Sequence, residues 1–161
     1  MGWWGYDVME GDTPLDCQGD IIDYLADPEL VAAVDTADDW MKATDAVGES
    51  GVAALQNETN VRNVYRAIQD GELCSYDANI AMQVLGEMVM CSGGAFPQAA
   101  RAACVAAAEA EIEYGDKGWR TEGEREKCLR AYIARVWAYV DGVAYEPTSE
   151  GLFAKFEQLV A

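Results

Sequence analysis

Residues 1–27 read MGWWGYDVMEGDTPLDCQGDIIDYLAD, and the second half of this stretch decides the fold class. Thr13-Pro14 marks a helix start: Asp12 stands where a cap is needed, and Pro14 falls in the first turn, where its missing N–H does no harm. At about 100° per residue, Asp16, Asp20, Asp23 and Asp27 fall within an arc of roughly 60°. Leu15, Ile21, Ile22, Leu25 and Ala26 take the opposite side, with Cys17 at its margin. A helix so patterned has a ladder of carboxylates on one face and core on the other.

The same 3.6-residue rhythm runs outward through the chain. Asp27-Pro28 opens a second helix to about Thr44, and Gly48-Glu49-Ser50-Gly51 is expected to break it. A helical pattern resumes from Val52 to Asp70 and stops at Gly71. Ser75 is the expected N-cap of a helix to Ser92, with Ile80, Val84, Met88 and Cys91 on one stripe and Gly93-Gly94 as the stop. Pro97 starts an Ala-rich helix to Tyr114, with Gly115 in the C′ position. Its small residues allow close approach, so it is predicted to be the central, most buried helix, with Glu109, Glu111 and Glu113 solvated. Thr121-Glu122-Gly123-Glu124 fits a capping box for a helix with Leu129, Tyr132, Ile133, Val136 and Val140 inward and Gly142 at its end. Leu152, Phe153, Phe156, Leu159 and Val160 line a last short helix. Strand alternation, repeats and linkers are missing. The prediction is all-α: one compact multi-helix domain over residues 1–161, with roughly six helices. Trp3, Trp4, Trp40, Trp119 and Trp137 are expected in the core or at its edge, Trp4 and Trp137 buried.

Charge is the second strong signal. The 161 residues carry 29 acids, 11 bases and no histidine, for a net charge of −18. Residues 1–60 hold 14 Asp/Glu against Lys42 alone, whereas residues 61–161 hold 15 acids and 10 bases. Such a surface repels nucleic acid and anionic membranes. Without a basic n-region or a long apolar run, a cytoplasmic location is expected, with no membrane contact. The five cysteines include no CxxC pair and read as small buried thiols.

Met1-Gly2-x-Trp4-Gly5, followed by Asp12-x-x-Leu15-Asp16 and Gly19-Asp20, resembles the opening of the bacterial domain-of-unknown-function 4259 family. The likeness covers some 25 residues. Met9 stands where that family tends to have an aromatic, and Gly11 where it tends to have Asn. What it implies is a fold type, not an activity.

The chemistry-bearing motifs mostly fail. Absence of histidine removes the usual general base near neutral pH, and GxSxG, a phosphate-binding glycine loop and HExxH are missing. Asp16 and Asp20 disfavour a Cys17 thiolate. Arg120, Arg125, Lys127 and Arg130 read as a solvated face paired with Glu122, Glu124 and Glu126. The expectation is a non-enzymatic acidic protein, without cofactor or metal. It engages and inhibits a basic, nucleic-acid-binding protein through Asp12, Asp16, Asp20, Asp23, Asp27, Asp35, Asp38 and Asp39. Two alternatives stand beside it. One is a Mg²⁺-dependent nucleotide hydrolase using Asp20, Asp23, Asp35, Asp38 and Asp39; the other is a housekeeping domain whose charge serves only solubility.

Overall fold

In the computed structural model of the chain, Ile80 to Met90 are buried on every side of one helix, and the other helices are arranged around it. The structure describes residues 8–9, 11–115 and 123–145. In chain order these form α1 (Asp12–Leu25), α2 (Pro28–Ala33), a 3₁₀ turn (Val34–Thr36), α3 (Trp40–Ala54), α4 (Glu58–Gln69), α5 (Ala78–Ser92), α6 (Gln98–Tyr114) and α7 (Glu124–Ala138). Among the described residues the regular structure is entirely helical, as the periodicity predicts. α1 and α3 pack on each other and on α5; α6 covers another face of α5, and α7 lies on α6. A continuous apolar core runs from Cys17 and Ile21 through Val61, Ile68, Val84 and Leu85 to Leu129 and Val136.

Caps fix most of the helix starts. Asp27, Asp39, Asn57 and Asp77 accept hydrogen bonds from the backbone N–H of Glu29, Lys42, Thr59 and Ile80, at 2.8–3.1 Å. Each satisfies a donor that the first helical turn leaves open. Three starts differ from the sequence reading. Gly11, not Asp12, is the residue before α1, so Asp12 lies inside the first turn. Asp77 replaces Ser75 as the cap of α5. α7 begins at Glu124 after Gly123, whose φ of 76° suits glycine. Thr121 of the predicted capping box lies outside the described residues.

The segment after α1 also departs from expectation. The predicted helix from Pro28 to Thr44 is instead α2, the 3₁₀ turn and the start of α3. α3 then runs straight through Gly48–Gly51. Gly51 is there for packing: a Cβ would stand 2.9 Å from Ile22 Cγ2 and 3.0 Å from the Ile22 carbonyl oxygen. Its missing side chain lets α3 close on α1, and Asp27 N–H reaches Ser50 Oγ at 2.9 Å.

α5 rather than the Ala-rich α6 is the central helix. Alanine fits either a buried or an exposed face, so the composition of α6 carries no inside–outside signal. α5 buries even Gln83 and Glu87. Gly86 faces Tyr132 and Cys104, and the Tyr132 hydroxyl donates to the Gln83 carbonyl at 2.9 Å. Glu111 and Arg125, both predicted to be solvated, are 9% and 3% exposed. They form an ion pair at 3.2 Å, and Arg125 Nη2 also donates to Gln83 Oε1 at 3.0 Å. Arg135 reaches Glu87 at 3.3 Å.

Arg101 closes the other end of the α6–α7 pair. It donates to the carbonyls of Phe96, Val136 and Tyr139 and to Asp141 Oδ1, at 2.6–3.1 Å. Its guanidinium also lies 5.2 Å and 5.3 Å from the ring centres of Phe96 and Tyr139. Residues after α7 then return over α5, where Tyr145 N–H meets the Met90 carbonyl at 2.8 Å. α7 stops at Ala138, and Gly142 (φ 85°) belongs to the following turn. Gly115 is extended rather than left-handed, with φ −64°.

Several apolar residues face water against expectation. Trp40 is 62% exposed, Trp137 50% and Val140 63%. Trp40 is the first residue of α3 and turns away from the bundle. Trp137 is one step, about 100°, past the inward Val136. Size alone made these tryptophans look like core. Cys17 errs the other way: it is 0% exposed, at the centre of the packed face rather than its margin. Trp3, Trp4, Trp119 and the predicted helix over 152–160 lie outside the described residues.

Candidate functional site

α1 presents its outer face beside the connection between α4 and α5. Gly71, with φ 72°, turns the chain out of α4, and residues 72–77 cross back over α1. Cys74 anchors the crossing: its thiol lies 3.8 Å from the Cys17 carbonyl oxygen and 3.9 Å from Asp20 Oδ2. Two residues on, the Tyr76 hydroxyl donates to the same Asp20 oxygen at 3.1 Å. The result is an open groove of about 670 Å³ lined by Asp16, Gly19, Asp20, Asp23, Tyr76 and Asp77. Gly19 has open space where a Cβ would stand, which keeps this wall low between the carboxylates.

The eight predicted site residues do not all meet there. Asp16, Asp20 and Asp23 are exposed and line the groove, while Asp12 is half-buried near one end of α1. Asp27 leaves the ladder because α1 ends at Leu25 and the chain turns at Ala26 (ψ 157°); its carboxylate caps α2 instead. Asp35, Asp38 and Asp39 are exposed around the 3₁₀ turn and do not line the groove, and Asp39 caps α3. Asp77, Tyr76 and Cys74 were not singled out from the sequence. Asp77 had a signal: it precedes the apolar run of α5 in the N-cap position. Tyr76 and Cys74 had none, since only the crossing of the chain brings them to α1.

Electrostatics separate this region from the rest. Six acids beyond α3 have basic partners, Glu58 with Arg62, Glu87 with Arg135, Glu111 with Arg125, Glu124 with Lys127, Glu126 with Arg130 and Asp141 with Arg101, while Glu109 and Glu113 stand exposed on α6. Among the described residues, no ion pair engages Asp16, Asp20, Asp23, Asp27, Asp35, Asp38 or Asp39. Behind the groove, a hydrogen bond from Cys74 holds the Cys17 thiol below its ordinary range, against its burial. The same bond, joined by burial, pushes the Cys74 thiol up. Tyr76 is 55% exposed, its hydroxyl donates to Asp20, and partial loss of water pushes the phenol up from its ordinary range.

Chemically the groove is lined by carboxylates. Three α1 carboxylates follow one another at helical spacing, about 5–6 Å per turn, beside the half-exposed Tyr76. No group of three or more carboxylates and thiols that could hold a metal ion occurs among the described residues. Nor, among those residues, is any helix long and apolar enough to cross a membrane. No family model, curated protein or solved structure matches this chain.

Proposed function

We propose that this protein acts by binding: it presents the outer face of α1 to a basic, nucleic-acid-binding protein and blocks the surface that protein uses for nucleic acid. The observation that carries this reading is the set of Asp16, Asp20 and Asp23, exposed in one groove and without ion pairs inside the described chain. Solubility alone does not require three acids to gather on one helix face beside a groove, and six acids beyond α3 are instead paired with arginine or lysine. A file of carboxylates one helical turn apart approximates the charge spacing of a phosphate backbone and fits a groove lined by Lys and Arg. Electrostatic steering then speeds the encounter.

The test is capture from host lysate, with mass spectrometry of what is retained and added nucleic acid as competitor. Asp16→Lys with Asp23→Lys changes the groove but leaves Asp20 and its Tyr76 hydrogen bond in place. Glu109→Lys with Glu113→Lys makes the same change in net charge on the exposed side of α6; Glu111 is omitted because it is buried against Arg125. Expected is a basic partner whose affinity falls about tenfold or more with the first pair and much less with the second. Affinity should also weaken steeply above 0.1 M salt, where screening acts over about 10 Å. Equal loss from both pairs would make the effect one of bulk charge and defeat the reading.

A further inference from the structure

Cys17 and Cys74 stand apart from the other three cysteines. They belong to α1 and to the crossing connection, 57 residues apart in sequence, and are 0% and 4% exposed. The Cys74 sulfur rests 3.8 Å from the Cys17 carbonyl oxygen, and each thiol shifts the titration of the other. Cys74 is also the one described non-glycine residue with a left-handed backbone, at φ 52°. Side chains rarely adopt that conformation, and such outliers persist where surrounding structure holds them. Here the outlier sets the Cys74 thiol against Cys17 of α1. Cys104, by contrast, donates to the Met82 carbonyl at 3.0 Å within the α5–α6 contact.

We propose that Cys17 and Cys74 form a reversible oxidation site that closes to a disulfide when a small peroxide enters from the acidic groove. Asp20 lines that groove and lies 3.9 Å from the Cys74 sulfur, so the route in is short. The deprotonated Cys17 sulfur attacks one peroxide oxygen: an S–O bond forms, the O–O bond breaks, and the departing oxygen takes up a proton and leaves as water. The Cys74 sulfur then displaces the oxygen from the sulfenic Cys17. The S–S bond forms, the S–O bond breaks, and a second water leaves with the Cys74 proton. Two thiols lose two electrons in all, and one peroxide becomes two waters. Cys17 is the attacking sulfur because it accepts the Cys74 hydrogen bond, which favours its thiolate despite Asp20 and Asp77 nearby. The bond would tie the connection to α1 beneath the groove, whether or not a basic partner binds there.

The experiment uses the folded full-length protein, treated with hydrogen peroxide, alkylated with N-ethylmaleimide, digested and mapped by mass spectrometry. Expected is loss of two of the five thiols, a single cross-linked species joining the peptides of Cys17 and Cys74, and recovery of all five with dithiothreitol. The oxidised form should melt roughly 10 °C higher, because the bond closes a long loop of the unfolded chain. Cys74→Ser should leave Cys17 to oxidise alone; the map of the unaltered protein decides even if that variant does not fold. Five alkylated thiols after peroxide, a link between other cysteines, sulfinic acid at Cys17 with Cys74 still alkylated, or a lower melting temperature would each overturn the proposal.

Discussion

Alanine at Gly86 would set a methyl group well inside contact distance of the Tyr132 hydroxyl oxygen, 3.2 Å from Cys104 Sγ and 3.2 Å from Tyr132 Cζ. Tyr132 is fully buried and its hydroxyl already donates to the Gln83 carbonyl at 2.9 Å, so it has no free direction in which to move. Overpacking a filled core costs about 1–3 kcal/mol, and losing the buried hydroxyl's partner about 1–3 kcal/mol more. Removing a helical glycine returns about 1 kcal/mol. Gly86→Ala is therefore expected to destabilise by about 3 kcal/mol, which lowers Tm by about 10 °C in a chain of this size. The same change at Gly48, in the middle of α3 with nothing within 4 Å of the new Cβ, should stabilise by about 0.5–1 kcal/mol. Urea denaturation followed by far-UV circular dichroism measures both. The double variant Gly86→Ala, Tyr132→Phe is the decisive arm. Tyr132→Phe alone should cost about 1 kcal/mol, but it deletes the atom the new methyl meets, so the double variant should be more stable than Gly86→Ala. If it is less stable, or if Gly86 and Gly48 respond alike, the packing account of α5 against α7 is wrong.

Other expectations follow from the buried polar groups. Glu111→Leu leaves Arg125 charged in the core and should cost about 3–5 kcal/mol, whereas Glu111→Leu with Arg125→Met should recover much of that loss in thermal denaturation. Arg101→Met removes four hydrogen bonds at the α6–α7 end and should cost about 3 kcal/mol. Arg101→Lys should rescue little, since one ammonium does not span those acceptors, and hydrogen exchange at residues 139–145 should rise in both. Burial pushes the Cys104 thiol up to about 12 from an ordinary 9 and keeps Tyr132 protonated well above its ordinary 10. With folded pKa above unfolded, this stability is full below pH 9 and falls as pH rises, by up to about 1.4 kcal/mol per pH unit per group. Denaturation at pH 8–11 checks the sign, and Cys104→Ala should delay the onset.

Helices were legible wherever one residue type meant one environment. Leu129, Tyr132 and Val136 recur at helical spacing and are all buried. Continuing that stripe backward by four residues reaches Arg125, and in α6 the stripe Cys104, Ala107, Ala108 reaches Glu111. Both buried charges therefore lay on apolar stripes, and reading them by charge rather than by phase placed them in water. The groove was half legible. Its α1 wall follows from the spacing of Asp16, Asp20 and Asp23, but its other wall depends on a turn at Gly71 and a left-handed Cys74. Backbone conformation of that kind leaves no trace in residue periodicity. Glycine misled at Gly51, where it serves close helix approach and not a chain break.

The uneven pairing of charge gives the molecule a permanent electric polarity. Residues 1–60 carry a net of −13 and residues 61–161 a net of −5, and in the later helices arginine and lysine cancel much of the field close to its source. A molecule so polarised does not meet a cationic bead, electrode or resin at random. It adsorbs through its exposed carboxylates, among them Asp16, Asp20 and Asp23 of α1. Any assay that immobilises the protein on a positively charged support would therefore hide the groove by orientation alone. Attachment through a site on α7 would leave it open.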